Sequence, residues 1–174
     1  MAIKPLVIYP DPRLRVKCEA VSEINSEIVQ LVQDLKDTLI HEEGLGLAAP
    51  QIGVLKRVFV FRRRVNDEYD EIQEVINPVL ELGGDMIDSE EGCLSIPGYR
   101  DTIRRHGAVN LKGINLSGQE LCFSLSGLEA RCAQHENDHL NGVLFIDHFN
   151  FFQKKLFNDW VRKQPWFVEE KVKV

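Results

Sequence analysis

The sequence predicts an α+β fold, with short antiparallel strands packed around a central helix, an N-terminal helix and a C-terminal helix. Three observations carry this reading. An apolar stripe of helical period lies near the start of the chain. Alternating apolar and polar residues fill its middle. Late in the chain, His-Glu-x-x-His at 135–139 falls in a second segment of helical period, which makes the central helix a metal-binding one. The chain has 174 residues, 44% of them hydrophobic. That is enough to build one domain spanning 1–174, with 149–174 as a C-terminal helix and tail.

The elements follow in chain order. Residues 5–22 hold Pro5, Pro10 and Pro12 and read as extended or irregular. From about 25 to 41, Ile28, Leu31, Val32, Leu35 and Leu39 form one helical stripe. Asn25 suits the N-cap, Glu27 suits the positive end, and Gly44 stops the helix. Residues 44–51 are rich in small side chains, which lets backbone approach another group closely. Strands are expected at 57–62 and 72–80, the second an edge strand or a strand end because of Pro78. The chain should turn at Gly83-Gly84, and 91–98 reads as a strand running into a loop. Residues 108–116 and 120–125 alternate around Ser117-Gly118, a hairpin signature.

The second helix runs from about 128 to 141 and stops at Gly142, with Leu128, Cys132, His135 and His139 on its inner face. A last helix is expected over 149–163. Phe149, Phe152, Leu156 and Trp160 form its packing stripe, and Pro165 ends it.

Several function classes are disfavoured. A net charge of −6 speaks against a broad nucleic-acid surface. The one cationic run, Arg62-Arg63-Arg64, reads as a solvated strand end. No stretch approaches the ~18 apolar residues of a membrane helix. The N-terminal apolar run is too short and too interrupted by proline for a signal peptide, so the cytoplasm is the expected location. Cysteines at 18, 93, 122 and 132 form no Cys-x-x-Cys pair and read as reduced thiols. Cys122, between Leu121 and Phe123, reads as a small buried residue.

Residues four apart on a helix share a face, so His135 and His139 can grip one ion. Glu136 stands beside them to handle the protons of an attacking water. Two histidines do not complete a site, and catalytic centres of this kind use three protein ligands. The longer pattern H-E-x-x-H-x-x-G-x-x-H would want His at 145, where Phe145 stands; His148 comes later. Cys93 is the better candidate, a soft thiolate in a glycine-flanked loop beside Glu90 and Glu91.

Three separated motifs resemble those of the peptide deformylases: Gly44-Leu45-Gly46-Leu47-Ala48-Ala49-Pro50-Gln51, Glu91-Gly92-Cys93-Leu94-Ser95 and Gln134-His135-Glu136-Asn137-Asp138-His139. They stand in the family's order, and the resemblance covers roughly residues 5–150. It implies an enzyme that removes the formyl group from the N-terminal formyl-methionine of new polypeptides. Cys93, His135 and His139 would hold one divalent metal, Fe²⁺ in the cell, with Zn²⁺, Ni²⁺ or Co²⁺ able to take its place. Glu136 would move the protons. The Gln51 side chain and the backbone N–H of Leu94 would stabilise the oxyanion.

Substrate would meet Leu45, Gly46, Glu91, Arg100, Leu128 and Cys132, with Gly46 pairing to the peptide as an added strand. Ser89 and Arg131 stand where some relatives carry apolar pocket residues. The implied partners are N-formylmethionyl peptides and nascent chains near the ribosome, met by a monomer. Two alternatives stay open. A metallopeptidase would draw its third ligand from downstream. A structural zinc site would close all four positions with protein.

Overall fold

The computed structural model describes residues 2–65 and 68–169. Helix α1 spans Ser26–His41, and the Asn25 side chain caps it by accepting from Ile28 N at 3.1 Å. Strands β1 (Gly46–Ala48), β2 (Val58–Val65), β3 (Glu68–Cys93), β4 (Ile96–Ile114) and β5 (Glu120–Ser126) follow. Helices α2 (Gly127–Leu140) and α3 (Phe151–Val161) complete the order. The strands form one antiparallel sheet in sequence order, β1-β2-β3-β4-β5. The fold is α+β.

Strand β2 shows why the helices lie where they do. Its side chains point alternately to opposite faces. Val58 and Val60 join Ile28, Leu31, Val32, Leu35 and Leu39 of α1 in one core cluster. Phe59 and Phe61 join Ala130, Cys132, Ala133 and Leu140 of α2 in another. The sheet therefore separates α1 from α2. A third cluster joins the N-terminal segment through Val7 and Leu14 to Phe145, Phe149, Phe157 and Val161. Among the described residues, no helix is long and apolar enough to cross a membrane.

Several expectations need correction. The strands are not all short: β3 has 26 residues and β4 has 19. Pro78 neither ends β3 nor marks an edge. It sits at a register shift between Ile76 and Val79, where β3 passes from pairing with β2 to pairing with β4. A missing N–H is harmless at such a bulge. Gly83-Gly84 does not reverse the chain; it is a second bulge, with Gly84 at φ +69°.

Cys122 is exposed, because its face of edge strand β5 is uncovered, and Cys18 is buried in the core. On α3, Phe152 is 74% exposed and Leu156 63%. The packing side is carried by Phe157 and Val161, with Trp160 and the preceding Phe149 against the same cluster. A shift of one residue along the helix rotates a stripe by about 100°, enough to misplace it. The tail residues 170–174 lie outside the described part.

Candidate metal centre

Two elements bring the expected ligands together. Helix α2 puts His135 and His139 one turn apart on its buried face. The β3–β4 hairpin delivers Cys93 at its tip, where Cys93 pairs with Ile96 across the turn. His139 Nε2 lies 3.2 Å from His135 Nε2 and 3.3 Å from Cys93 Sγ. The three ligand atoms lie within 4.8 Å of one another. Metal bonds of 2.0–2.3 Å in tetrahedral geometry put ligand atoms roughly 3.3–3.6 Å apart. The residues therefore fit one cation. Two imidazole nitrogens facing each other in a buried site is otherwise an unfavourable arrangement.

The backing of His135 fixes which nitrogen is free. His135 Nδ1 lies 2.8 Å from Glu91 Oε1. An ionised carboxylate only accepts, so Nδ1 carries the hydrogen and Nε2 is the nitrogen that would meet a cation. Burial opposes charge on Glu91, but hydrogen bonds from His135 and Arg105 hold its carboxyl well below the usual range. Burial, then the neighbouring His135 and Arg105, hold His139 well below the ordinary histidine value, which favours the neutral ligand form.

Glu136 follows directly on α2 and is 3% exposed. Burial, only partly offset by His135, pushes its carboxyl up to about 7. Among the described residues its Oε2 has no hydrogen-bond partner, a costly state for a buried oxygen and a useful one for a group awaiting a proton. Gln51, 1% exposed, is held by Ala48 N–H donating to its Oε1 at 2.9 Å. Its Nε2 then points between Ser95 Oγ at 3.2 Å and Cys93 Sγ at 3.7 Å.

A cavity of about 560 Å³ opens over this centre. Leu45, Gly46, Leu94, Arg100, Leu128 and Cys132 border it with Gln51, Cys93, His135 and Glu136. Leu45 and Leu128 are 40% and 43% exposed and stand at the rim, so Leu128 is not the inner-face residue expected; Cys132 is 8% exposed and lies deep. Arg100 is paired with Glu90 at 2.5 Å. Glu91, expected among the substrate-binding residues, borders the cavity, and both its oxygens are engaged by His135, Arg105 and Arg131.

The model of the polypeptide deformylase family matches residues 3–155. The chain belongs to the peptide deformylase family. It is 41% identical over 166 residues to the peptide deformylase of Acidothermus cellulolyticus, covering 95% of this chain and 89% of that one. Against peptide deformylase 1 of Clostridium perfringens it is 44% identical over 151 residues, 85% of this chain and 99% of that one. The crystal structure of peptide deformylase from Ehrlichia chaffeensis in complex with actinonin superposes with a TM-score of 0.86 at 34% identity, covering 96% of this chain and all (100%) of that one.

Some residues of the site were not foreseen. Arg105 is 4% exposed and bridges Glu91 to Asp138, which also meets His148 Nε2 at 2.9 Å. The alternation of β4 was the available signal: Ile103 points inward, so residue 105 does too. Ser95, fully buried at 0%, supports Gln51. Leu6 and Ile8 add a wall from the N-terminal segment, which no motif announced.

Gly46 shows how closely the chain is packed at this centre. A methyl group there would stand 2.5 Å from Glu136 Oε1 and 2.7 Å from Cys132 Sγ. Gly46→Ala is expected to leave the fold and bound metal in place and to lower kcat by roughly 10-fold or more, since displacements near 1 Å have such effects. Steady-state kinetics beside a metal assay checks this.

Proposed function

We propose that this chain is a metal-dependent amide hydrolase that removes the N-formyl group from the N-terminal formyl-methionine of newly made polypeptides, releasing formate. The observation that carries the reading is Glu136 Oε2, without a partner among the described residues, in a cavity beside three converging ligand atoms. Cys93, His135 and His139 would hold the cation. When bound, it supplies a Lewis acid that polarises the formyl oxygen and acidifies water. Glu136 accepts the proton of the attacking water and delivers it to the leaving amine.

Gln51 Nε2 and the Leu94 N–H donate to the oxygen that gains charge. Gln51→Leu is expected to lower kcat about 100-fold with metal content unchanged, which corresponds to about 3 kcal/mol of transition-state stabilisation. The methionine side chain lies against Leu45, Leu128 and Cys132, with the peptide paired along β1 at Gly46. Arg100 stands where downstream residues pass.

Among the described residues, no fourth protein ligand joins the three, which disfavours a closed structural site. His148, the downstream ligand that a metallopeptidase reading would want, is engaged with Asp138 instead. We further read the chain as one catalytic domain, monomeric and cytoplasmic, with Fe²⁺ as its cellular metal and nascent chains near the ribosome as its substrates.

The test is deformylation of a formyl-Met tripeptide by protein purified without oxygen, with its metal measured. Cleavage of the formyl peptide and none of its acetyl counterpart is expected, because a tight wall facing the formyl hydrogen would exclude a methyl group. Equal cleavage of both, or cleavage at an internal bond, would overturn the reading.

A further inference from the structure

We infer that Arg131 is a positioning residue that joins the wall of the methionine slot to the metal ligand His135, an inference that rests on the function proposed above. Arg131 lies four residues before His135 on α2, one turn away on the same face. It is 7% exposed and borders the cavity beside Leu128 and Cys132.

Both terminal nitrogens of its guanidinium are engaged. Nη1 donates to Glu91 Oε2 at 2.7 Å and to the Ile103 carbonyl at 3.4 Å, and Nη2 donates to the Ile87 carbonyl at 2.7 Å. Its head is therefore tied to both strands of the β3–β4 hairpin. Its methylenes are the part left to face a substrate side chain.

Glu91 Oε2 receives two guanidinium groups, Arg131 and Arg105, each at 2.7 Å. The other oxygen, Oε1, orients His135. Arg105 grips the same carboxylate through Nε on Oε2 and Nη2 on Oε1 at 3.1 Å while its Nη1 is drawn to Asp138 at 2.8 Å, and Arg131 is the second, independent donor on Oε2. Planar guanidinium groups set direction as well as charge. With both guanidinium groups in place, the carboxylate has one orientation, and so does the ring it carries. Partners of this kind commonly change metal affinity 10- to 100-fold when lost.

The two roles separate by substitution. Arg131→Met keeps an unbranched apolar stem for the slot and deletes the head. Arg131→Lys keeps a cation within reach of Glu91 and gives up the planar fork. The experiment titrates Co²⁺ into each metal-free protein against a chelator, records the Co²⁺ absorption spectrum, and then measures kinetics on a formyl-Met tripeptide at saturating Co²⁺.

Arg131→Met is expected to bind Co²⁺ at least about 10-fold more weakly, with an altered spectrum, a lower kcat and an almost unchanged KM. Arg131→Lys should fall between Arg131→Met and the parent chain. A purely structural arginine would lower the melting temperature of the metal-free protein and leave Co²⁺ affinity and spectrum at parental values. That result in either variant overturns the inference. If Arg131→Met does not fold, parental affinity and spectrum in Arg131→Lys overturn it equally. Failure of the underlying reading looks different: the parent chain itself would then bind no Co²⁺, or would bind it as tightly after Cys93→Ala.

Discussion

Glu136→Gln is expected to abolish turnover while leaving the metal in place. The amide is nearly isosteric, so the helix and the ligands on either side of it keep their positions. What is lost is a proton acceptor next to the attacking water, and such groups contribute roughly 100- to 10,000-fold. Metal content equal to the parent with kcat lowered by at least that factor is the expected pair of readings. Normal turnover would remove the carboxylate from the mechanism. The pH profile offers a second check on the same residue. Burial raises the Glu136 carboxyl to about 7 in the metal-free chain. Below its pKa the group already holds a proton and cannot take another, so kcat/KM should fall as the solution is acidified. A nearby cation favours the carboxylate, so in the loaded enzyme the acid limb should lie at or below about 7. Glu136→Gln should lack this limb in whatever rate remains.

Cys93→Ala should strip the ion rather than slow the chemistry alone. The thiolate is the only charged member of the ligand set, and it comes from the hairpin while the two imidazoles come from α2. Two histidines at i and i+4 bind divalent ions far more weakly than a three-ligand site. The loss should exceed the roughly 10- to 100-fold typical of an outer partner. The fold should survive, because the core clusters on either side of the sheet do not depend on the ion. Metal analysis after dialysis and circular dichroism read the two outcomes separately. Retained metal would point to a different third ligand.

The α1 stripe, the Asn25 cap and the helical placement of His135 and His139 were legible because each is a local pattern. The long β3 and β4 strands were not. Their bulges at Pro78 and Gly84 look like chain breaks in sequence, and only pairing with a neighbour shows that the strand continues. The same limit explains Glu91 and Arg105. A four-charge cluster of buried Glu91, Arg105 and Arg131 with half-buried Asp138 is assembled from three elements, and no window of sequence contains it. The α3 stripe failed for a simpler reason: apolar residues line more than one side of that helix, and period alone does not say which side is covered.

The ligand atoms come from stretches that are 46 residues apart, as between Cys93 and His139. While the chain is still being made, the sulfur comes first and stands alone until the two imidazoles follow, and it can capture no scarce ion against competition. Loading must then be the last step of maturation, available only after hairpin and helix have docked. Refolded enzyme should regain its circular dichroism first and its metal afterwards, at a rate that depends on how much free ion the solution offers.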